Sequence, residues 1–588
     1  MNILLVAVNA KYIHSNPAVF SLRSCTGAYR SCVTIAEYTI NQQPSFILQD
    51  IYQRHPHVIA FSCYIWNRTL IGRIICDLHK ILPDTDIWAG GPEVSYDPKE
   101  TIAAWKLRGV MAGPGEGSFS HLVSAYVRGT AGQLPAILDL TNTPRLLLDD
   151  IPFWQEELTD FGHRIVYYES SRGCPFSCSY CLSSIDKTMD FRSVSRVCRE
   201  LDFFLERKVP QVKFIDRTFN CSKKHALPIL RHILEHDNGI TNFHFEIAAD
   251  LLDEDYFALL SQMRPGAVQL EIGIQSTHAE TIAAIDRKMD LTKVSDAVRR
   301  IRSWQNIHIH LDLIAGLPFE DLQTFQTSFQ EVYDLRPTQL QLGFLKVLKG
   351  SAMESDAPEY DLLYSSQPPY EVLSTRWLSY EDLCRLKQVE EVLEIYYNSG
   401  QFVHTLDFLQ PYFETSYAMY DALASWYAAH DLFGIQSSRI RKYEILLEFA
   451  AACITQDMYK AAGTKMQNGL CGTPDSDAQK QISALKEYLT YDLYLREHMK
   501  NRPAFAFPLD HWKHEIRSLL QQEAETHAFF PEFQDCSYRD LTKALHIEIF
   551  ETIFDQPTAV LFGYEKRDPL TNNGTAIQIS LQKLRITL

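Results

Sequence analysis

The first part of the chain alternates short apolar runs with stretches in which apolar residues recur at helical spacing. A short apolar run bounded by turn residues is typical of a buried strand, and the longer periodic pattern is typical of an amphipathic helix. Strand–helix alternation predicts a parallel, doubly wound α/β sheet over residues 1–140. The predicted strands are Ile3–Val8, Val58–Tyr64, Asp86–Ala89 and Gly109–Ala112, and the predicted helices are Ser45–Arg54, Leu70–Leu82 and Phe119–Val127.

The next part of the chain repeats this alternation. Six apolar runs, separated by helical patterns, predict six strand–helix units over residues 161–355. A stretch rich in Pro and Asp, within residues 141–160, is predicted to be a linker between the two parts. The predicted strands are Ile165–Tyr168, Val212–Asp216, Phe243–Ile247, Val268–Ser276, Ile307–Ile314 and Leu340–Leu345.

The pattern becomes mainly helical over residues 356–588. Aromatic and aliphatic residues recur there at helical spacing, and such stripes are most often core. Three short apolar runs near the end, His546–Phe550, Ala559–Tyr564 and Ala576–Leu581, predict a small terminal sheet. The predicted helices are Tyr380–Ser399, Glu414–His430, Arg439–Ile454, Asp477–Met499, Leu509–Glu523 and Tyr538–Ala544.

Length and composition indicate a globular protein with several domains. A chain of 588 residues exceeds what one hydrophobic core can hold, and 46% hydrophobic and 22% charged residues are ordinary values. No apolar run approaches the roughly 20 residues that span a bilayer, and the N-terminus lacks the basic flank of a signal peptide. Thirteen cysteines, an odd number, suit a reducing compartment, so we expect a cytoplasmic protein without a membrane partner.

Three cysteines follow the predicted strand Ile165–Tyr168. Cys174, Cys178 and Cys181 have C-x3-C-x2-C spacing, and three thiolates on one loop can bind three irons of a [4Fe–4S] cluster. The fourth iron then has no ligand in the motif and stays open to an outside molecule. A zinc site is one alternative, but zinc usually takes a fourth Cys or His, and no second C-x2-C lies nearby. The other alternative is that the three cysteines are unrelated and share no function.

This spacing resembles the radical S-adenosylmethionine (SAM) superfamily. The resemblance implies a partial (β/α)6 barrel, and SAM that binds the open iron and is cleaved to a 5′-deoxyadenosyl radical. Chemistry in such barrels lies at the carboxyl ends of the strands. The stretch 271–276 resembles the superfamily's fourth-strand motif, and 316–318 resembles the loop that approaches the adenine. The SAM contacts implied are Phe176, Tyr180, Asp216, Glu271, Gln275, Ser276, Gly316 and Leu317.

Two interpretations stay open for other polar residues of this part of the chain. Asp216, Glu246 and Asp312 lie in or at the ends of predicted strands, where each could bind SAM or substrate. A structural ion pair is about as frequent a role for such carboxylates. Cys198 and Cys221 are expected to be buried thiols without a catalytic role.

Loops rich in small residues follow the predicted strands of the first sheet, at the edge where doubly wound sheets bind ligands. Glycine lets the backbone approach a bulky ligand closely, because it has no Cβ. The loops 90–93 (Gly-Gly-Pro-Glu) and 113–117 (Gly-Pro-Gly-Glu-Gly) resemble those of the cobalamin-binding domain in cobalamin-dependent radical SAM enzymes. Nucleotide binding is the alternative for such loops. The cobalamin contacts implied are Asn9, Ala10, Tyr12, His14, Ser15, Ser62, Tyr64, Trp66, Gly90, Gly91, Pro92, Glu93, Gly113, Gly115, Glu116 and Gly117.

The sequence departs from the pattern of many methylcobalamin proteins at one point. The D-x-H-x-x-G signature, which supplies a histidine ligand to cobalt, is absent. His14 lies in the loop after the first strand, roughly where that histidine would come from. A hydrogen bond to backbone is the more frequent role of a loop histidine. We therefore expect bound cobalamin without a histidine below the cobalt.

Together the resemblances imply three cofactors: a [4Fe–4S] cluster, SAM and methylcobalamin. They predict a methyltransferase that acts on an unactivated carbon of an unidentified substrate, with an electron donor such as flavodoxin or ferredoxin. The alternatives are non-methylating oxidation or rearrangement, modification of tRNA or a peptide, and a non-enzymatic sensor. A net charge of −17 leaves nucleic acid possible but not favoured. Residues 356–588 resemble an uncharacterised domain that follows some radical SAM domains, interpreted as a substrate cap.

Overall fold

The first sheet is built from strands that are buried on both faces. All seven residues of β1, Ile3–Asn9, are buried, and alternate residues face two different hydrophobic cores. A strand buried on both faces forms a nearly continuous apolar run, which makes it recognisable in the sequence. The computed structural model describes residues 1–139, 146–158, 161–466 and 474–581, without side chains over 456–475.

Six parallel strands form this sheet in the order β2-β1-β3-β4-β5-β6, with helices on both faces. The predicted doubly wound fold is confirmed, although the sequence pattern did not predict β2, β6, α1, α4 and α5. The strand order reverses between β1 and β3, and sheets of this kind bind ligands at such a switch point. The remaining elements are β2 Val33–Thr39, β3 Val58–Ser62, β4 Asp86–Gly90, β5 Gly109–Ala112 and β6 Ile137–Asp139, with α1 Pro17–Ser24, α2 Pro44–Gln53, α3 Arg68–Ile81, α4 Pro92–Ser95, α5 Pro98–Trp105 and α6 Gly115–Val127.

The structure describes only part of the predicted linker. Residues 141–145, 159 and 160 lie outside the described residues. The part between them contains two short 3-10 turns, Leu148–Asp150 and Gln155–Glu157. Arg23 contacts Glu157 at 2.5 Å, so this stretch is tied to the first sheet's α1.

A second sheet of six strands has the order β14-β13-β12-β11-β10-β7, and its pairs from β7 to β13 are parallel. This confirms the predicted partial barrel of six strands. A short antiparallel pair, β8 with β9, and a second one, β15 with β16, lie beside it in the chain. The strands are β7 Val166–Tyr168, β8 Ser171–Arg172, β9 Asp190–Phe191, β10 Gln211–Phe214, β11 Asn242–Glu246, β12 Val268–Gln275, β13 His308–Ala315, β14 Gln339–Phe344, β15 Leu363–Tyr364 and β16 Val372–Ser374; the helices are α7 Val194–Glu206, α8 Lys223–Glu235, α9 Glu254–Leu260, α10 Ala279–Ala284, α11 Leu291–Ser303, α12 Leu322–Tyr333 and α13 Ala352–Asp356.

The last part of the chain is mainly helical and ends in an antiparallel sheet of three strands, in the order β17-β18-β19. The predicted helices and the terminal sheet are confirmed, with shifts of a few residues at most of their ends. One helix, predicted to end at Ile454, continues twelve residues further to Met466. A short π-helix, Glu394–Asn398, continues the first helix, and α15 was not predicted. The elements are α14 Tyr380–Leu393, α15 Val403–Leu409, α16 Ser416–Ala429, α17 Arg439–Met466, α18 Pro474–Arg496, α19 Lys513–Thr526 and α20 Tyr538–Ala544, then β17 Leu545–Phe550, β18 Thr558–Gly563 and β19 Thr575–Ser580.

The chain divides into two compact units. The first consists of residues 1–328 and 342–383, and the second of residues 329–341 and 384–588. The first unit therefore contains the doubly wound sheet and most of the barrel. Among the described residues, no helix combines the length and the apolar character that crossing a membrane requires.

Candidate functional site

The cysteines lie on a loop, residues 172–186, that we call the cysteine loop. The pairing of β8 with β9 closes its base, with Ser171 opposite Phe191. The N–H of Cys174 donates to the carbonyl oxygen of Asp186 at 3.2 Å, which joins the two ends of the loop. Cys174 and Cys178 are only 8% and 6% exposed. The loop thus holds its first two thiols in the protein interior.

All three cysteines line one cavity of about 200 Å³, which we call the cluster cavity. Its other walls come from the carboxyl ends of β10 to β13, where barrels of this kind place their chemistry. Four of the predicted SAM contacts line it as well: Phe176, Tyr180, Glu271 and Gln275.

Strand β12 is irregular at the cavity. Its pairing with β13 shifts between Gly273 and Gln275, and Gln275 has a φ of +74°. Such a bulge re-aims a side chain, and here it directs Gln275 into the cavity wall. A Cβ at Gly273 would collide with the side-chain amide of Gln275, so this glycine provides the space that the bulge needs. Gln275 Oε1 is buried and accepts no hydrogen bond from any described residue.

Arg287 links the cysteines to this bulge. Its guanidinium donates to Cys178 Sγ at 3.5 Å, to Tyr180 Oη at 3.2 Å, and to the carbonyl oxygen of Gly273. Burial raises the pKa of the Cys178 thiol, and the charge of Arg287 offsets part of that shift. Arg287 therefore favours the thiolate form, which is the form that binds iron.

The carboxylates of the cavity differ in charge. Burial raises the pKa of Glu246 to about 7, although the charge of Arg217 acts in the opposite direction. Burial also opposes ionisation of Glu271, but a hydrogen bond with His244 and the charge of Lys213 outweigh it and lower its pKa to about 2. The ion-pair distances from Glu271 Oε2 are 2.8 Å to His244 and 3.0 Å to Lys213. Of these two glutamates in the cavity wall, Glu271 thus stays ionised and Glu246 titrates near neutral pH.

Four predicted SAM contacts do not line the cluster cavity. Asp216 is fully buried and accepts hydrogen bonds from Ser170 and Ser171, and burial raises its pKa to about 6. Ser276 donates to Glu320 Oε1 at 2.6 Å. The other two are Gly316, which packs against Val372, and Leu317, which is fully buried. For these residues contact with SAM stays a prediction, and the described partners of Asp216 are serines and not the cation of a structural ion pair.

The donor set of the cluster cavity fits an iron–sulfur cluster. Among the described residues, no three Cys, His, Asp or Glu side chains converge on a point that could hold a single metal ion. A cluster of several irons does not need such convergence, because each thiolate binds a different iron. The unpartnered Gln275 Oε1 and Arg287 Nε supply polar atoms for a second ligand in the same cavity.

A second cavity, of about 330 Å³, lies at the switch-point edge of the first sheet. We call it the glycine-loop cavity. Its volume is within the roughly 300–1,000 Å³ usual for ligand sites. Residues after β3, β4 and β5 line it, as the sequence predicts. The predicted contacts among its lining residues are Ser62, Tyr64, Gly90, Gly91, Gly113, Gly115 and Glu116.

Two residues of the loop 90–93 make close contacts within the protein. Gly91 has a φ of +106°, and a Cβ there would lie 2.5 Å from the carbonyl oxygen of Cys63. The backbone therefore requires glycine at this position, which corrects the expectation that Gly91 only makes room for a ligand. Glu93 is buried and accepts a hydrogen bond from Tyr370 Oη at 2.8 Å. By contrast, a Cβ at Gly90 would make ordinary contacts with Met111.

The predicted contacts in the loop after β1 lie away from this cavity. His14 Nδ1 is 2.7 Å from Tyr167 Oη, and burial lowers the pKa of His14. Its Nδ1 thus has a protein partner, and cobalt without a histidine ligand stays a prediction. Ser15 donates to the carbonyl oxygen of Ile165 at 3.1 Å. The remaining predicted contacts outside the cavity walls are Asn9, Ala10, Tyr12, Trp66, Pro92, Glu93 and Gly117.

The cysteine loop borders both cavities. Its first and last residues, Arg172 and Asp186, line the glycine-loop cavity, while Cys174 to Ser184 face the cluster cavity. Arg172 donates to Glu116 Oε1 at 2.9 Å, which ties the loop to α6 of the first sheet. One loop of 15 residues, 172–186, thus separates the two cavities.

Sequence reasoning missed Arg287 and Arg217 in the cluster cavity. Arg217 lies three positions after the end of β10, and a charged residue at the carboxyl end of a barrel strand is a signal that could have identified it. Arg287 lies 12 positions after Gln275 in the chain, beyond α10, and only the fold brings it back to Cys178. No local pattern marks it.

Comparison with protein families gives three matches along the chain. The B12 binding domain matches residues 3–123, the Radical SAM superfamily matches residues 168–332, and a protein of unknown function, DUF4080, matches residues 358–562. The chain therefore contains a B12-binding domain, a radical SAM domain and a DUF4080 domain, in this order.

Named relatives match about half of the chain. TokK of Streptomyces tokunonensis, a cobalamin-dependent radical SAM methyltransferase, is 26% identical over 336 residues, which are 48% of this chain and 46% of TokK. The chain thus spans about half the length of the curated relatives it matches.

Two solved structures resemble the fold more widely. One is the radical SAM methyltransferase TsrM from Kitasatospora setae with cobalamin and a [4Fe–4S] cluster, with a TM-score of 0.50, 16% identity, and coverage of 63% of this chain and 82% of TsrM. The other is apo OxsB, a cobalamin-dependent SAM radical enzyme, with a TM-score of 0.53, 13% identity and 84% coverage of both chains. At these identities the likeness shows the fold, and it confirms the predicted architecture.

Proposed function

We propose that the chain is a cobalamin-dependent radical SAM methyltransferase that acts on an unactivated carbon. The observation that carries the proposal is the cysteine loop, which borders the cluster cavity and the glycine-loop cavity at once. Two reactive groups must be held next to each other to act on one substrate, and sites with a common wall provide this proximity. The matches to B12-binding and radical SAM families support the same assignment.

The described side chains suggest how each cofactor is held. Cys174, Cys178 and Cys181 would bind the cluster, Gln275 and Arg287 would contact SAM, and the loops after β3, β4 and β5 would hold cobalamin. When bound, the reduced cluster supplies the electron that cleaves SAM, and methylcobalamin supplies a methyl group. The residues themselves would orient these groups, Arg287 would favour the thiolate form of Cys178, and the buried walls would exclude water from the cavity.

The first test is reconstitution without oxygen. The chain receives iron, sulfide, hydroxocobalamin, SAM and a reductant, either dithionite or flavodoxin. We expect cluster absorption, bound cobalamin and formation of 5′-deoxyadenosine.

Replacing all three loop cysteines by Ala should abolish iron binding and 5′-deoxyadenosine formation, while cobalamin stays bound, because the two sites lie on different domains. Cys198→Ala, a thiol on α7 outside both cavities, is the matched control. A triple variant that still cleaves SAM would disprove the cluster assignment.

The second test distinguishes methylation from a radical reaction that transfers no methyl group. Cell-extract fractions are incubated with the reconstituted chain and SAM labelled on its methyl group. We expect a product that gains a labelled methyl. OxsB, whose fold this chain shares, is described as a radical enzyme and not as a methyltransferase, so non-methylating oxidation or rearrangement is the second candidate. A product whose mass changes without gain of label would favour that candidate.

A further inference from the structure

A segment of the first unit that follows β14, residues 345–378, contacts the loops of both cavities. We call it the bridging segment, and it includes α13, β15 and β16. Its larger part falls within residues 358–562, the stretch that matches a family of unknown function. Its contacts with three loops, taken in turn, indicate what this part of the chain does.

The first contact is with the loop 90–93 of the glycine-loop cavity. Tyr370 Oη donates to Glu93 Oε2 at 2.8 Å, and the two residues are 3% and 5% exposed. Lys349 Nζ donates to Asp97 Oδ2 at 2.6 Å. Asp97 lies four positions after Glu93, between α4 and α5. Arg68 reaches the carbonyl oxygen of Glu93 and the carboxylate of Asp97 from the other side. The loop is therefore held between the first sheet and the bridging segment.

The second and third contacts are with loops of the barrel. Val372, two positions after Tyr370, packs so closely on Gly316 that a Cβ there would lie 2.7 Å from Val372 Cγ1. Gly316 belongs to the loop that the sequence predicts to approach the adenine of SAM. The N–H of Met353 donates to the carbonyl oxygen of Ser179 at 2.9 Å, between Cys178 and Tyr180. One short segment thus contacts the predicted loops for cobalamin, for SAM and for the cluster.

The backbone of Tyr370 is unusual. Its φ is +57°, in the left-handed region that a bulky residue seldom adopts. Such a conformation persists only where the surroundings enforce it, and here the N–H of Val347 donates to the carbonyl oxygen of Tyr370 at 3.0 Å. Relaxation of Tyr370 would move its hydroxyl away from Glu93. A ligand that makes better contacts with this held conformation than with a relaxed one would favour the held conformation.

We propose that the bridging segment couples the two cofactor sites, with Tyr370 and Val372 as positioning residues. SAM bound against the Gly316 loop holds Val372, which keeps Tyr370 on Glu93 and so tightens the binding of cobalamin. Because coupling between two binding sites is reciprocal, cobalamin tightens the binding of SAM by the same factor. This inference rests on the proposed function, since it needs both cofactors to bind where that proposal places them.

The test is a set of binding titrations on the full chain with its cluster reconstituted. Hydroxocobalamin is titrated with and without SAM, and the ratio of the two dissociation constants measures the coupling. For the wild type we expect SAM to tighten cobalamin binding about fivefold or more, the lower end of typical coupling. Tyr370→Phe removes the hydroxyl, and Val372→Ala removes the packing on Gly316. In both variants the ratio should fall to near one.

Tyr364→Phe is the matched control, because it removes a tyrosine hydroxyl from β15, the strand paired with Val372 in the same hairpin, at a residue that lines neither cavity. It should keep the wild-type ratio. A purely structural role for Tyr370 would weaken cobalamin equally with and without SAM, leave the ratio unchanged, and overturn the inference. The melting temperature of each variant shows whether it folds, and Val372→Ala tests the coupling from the end that does not touch the cobalamin loop.

The titrations also distinguish failure of the inference from failure of the function. A wild-type chain that binds both cofactors with a ratio of one would contradict the coupling and leave the proposed function intact. A wild-type chain that binds no cobalamin at all would overturn the proposed function, and the coupling with it.

Discussion

Glu246 changes its charge near neutral pH. Burial in the cluster cavity raises its pKa to about 7, and the neighbouring Glu271 raises it further, while Arg217 lowers it. Its carboxyl is therefore largely neutral below pH 7 and largely anionic above it. SAM carries a positively charged sulfonium group, so an anionic Glu246 binds it more strongly than a neutral one.

We expect the affinity for SAM to rise severalfold between pH 6 and pH 8, roughly the effect of one charge that ionises in this window. Glu246→Gln should remove most of the rise, whereas Glu235→Gln, at an exposed site on α8, should keep it. Titration of SAM into the chain at a series of pH values gives the measurement. An unchanged pH profile in Glu246→Gln would show that another group is responsible.

The same shift affects stability with a definite sign. The folded-state pKa of Glu246 lies above its usual value of 4.5, so the folded chain holds this proton more tightly than the unfolded chain does. The contribution to the free energy of unfolding is fully present below pH 4.5 and is lost as the pH rises through about 7. Glu246→Gln should therefore lower the slope of stability against pH within this window.

At the scale of elements, the bulge in β12 is the feature that shapes the cluster cavity. Gly273→Ala would place a methyl group against the side-chain amide of Gln275, and that amide would have to leave its position. Since a flexible side chain moves at little cost, we expect the fold to survive and the affinity for SAM to fall about tenfold, the effect of one lost buried hydrogen bond. Gly343→Ala in β14 of the same sheet is the matched control, because its Cβ would meet only ordinary contacts, the nearest at 3.4 Å.

Melting curves and SAM titrations of both variants provide the measurement. Loss of folding in Gly273→Ala, or wild-type affinity for SAM, would show that Gln275 does not depend on this space.

The glycine loops also need a variant that changes ligand binding without changing the fold. Gly91→Leu cannot test ligand binding, since any side chain there strikes the carbonyl oxygen of Cys63. Gly90→Leu can, because its first carbon is accommodated beside Met111 and the rest of the side chain would occupy the cavity. We expect Gly90→Leu to lose most bound cobalamin while its circular dichroism melt stays near that of the wild type.

Gly132→Leu is the control for this variant, because Gly132 has open space around it and lies outside the cavity. Cobalamin content per chain, measured after reconstitution, decides the result. Full cobalamin content in Gly90→Leu would mean that the loop 90–93 is only a turn of the sheet.

The sequence predicts the elements that are buried on both faces or long and periodic. It missed β2, because Val33–Thr39 mixes buried and exposed positions at the edge of its sheet. It also missed α1 and α15, which have eight and seven residues and therefore show little periodicity. The cysteine spacing predicts the wall of the cluster cavity, whereas Arg287 reaches that wall only through the fold.

At the scale of the whole molecule, the chain crosses between its two units more than once. Residues 329–341 belong to the second unit, although 342–383 belong to the first. Phe329 packs on Tyr417 with ring centroids 5.5 Å apart, and Tyr333 Oη is 3.2 Å from Tyr420 Oη. Asn398 pairs with both the N–H and the carbonyl of Leu340. The stretch 329–341 is thus part of the second unit's core.

We expect a chain that ends at residue 383 to fold poorly. It would keep Phe329 and Tyr333, which are 0% and 1% exposed in the full chain, without the tyrosines that cover them. Exposed aromatic surface of this kind promotes aggregation. Soluble yield and the cooperativity of thermal unfolding compare the shortened and full-length chains. A soluble, cooperatively melting 1–383 chain would show that the second unit contributes little to the first.

The cysteine loop has a consequence for damage and repair. Oxygen attacks exposed iron–sulfur clusters, and a loop that loses its cluster loses the cross-link between its three thiols. Because Arg172 and Asp186 of the same loop line the glycine-loop cavity, that loss also loosens a wall of the second site. The other walls of that site, the loops after β3, β4 and β5, do not depend on the cluster, so the corrinoid would stay bound after the cluster is lost. Repair in the cell would then need only a new cluster, delivered to a chain that already carries its corrinoid.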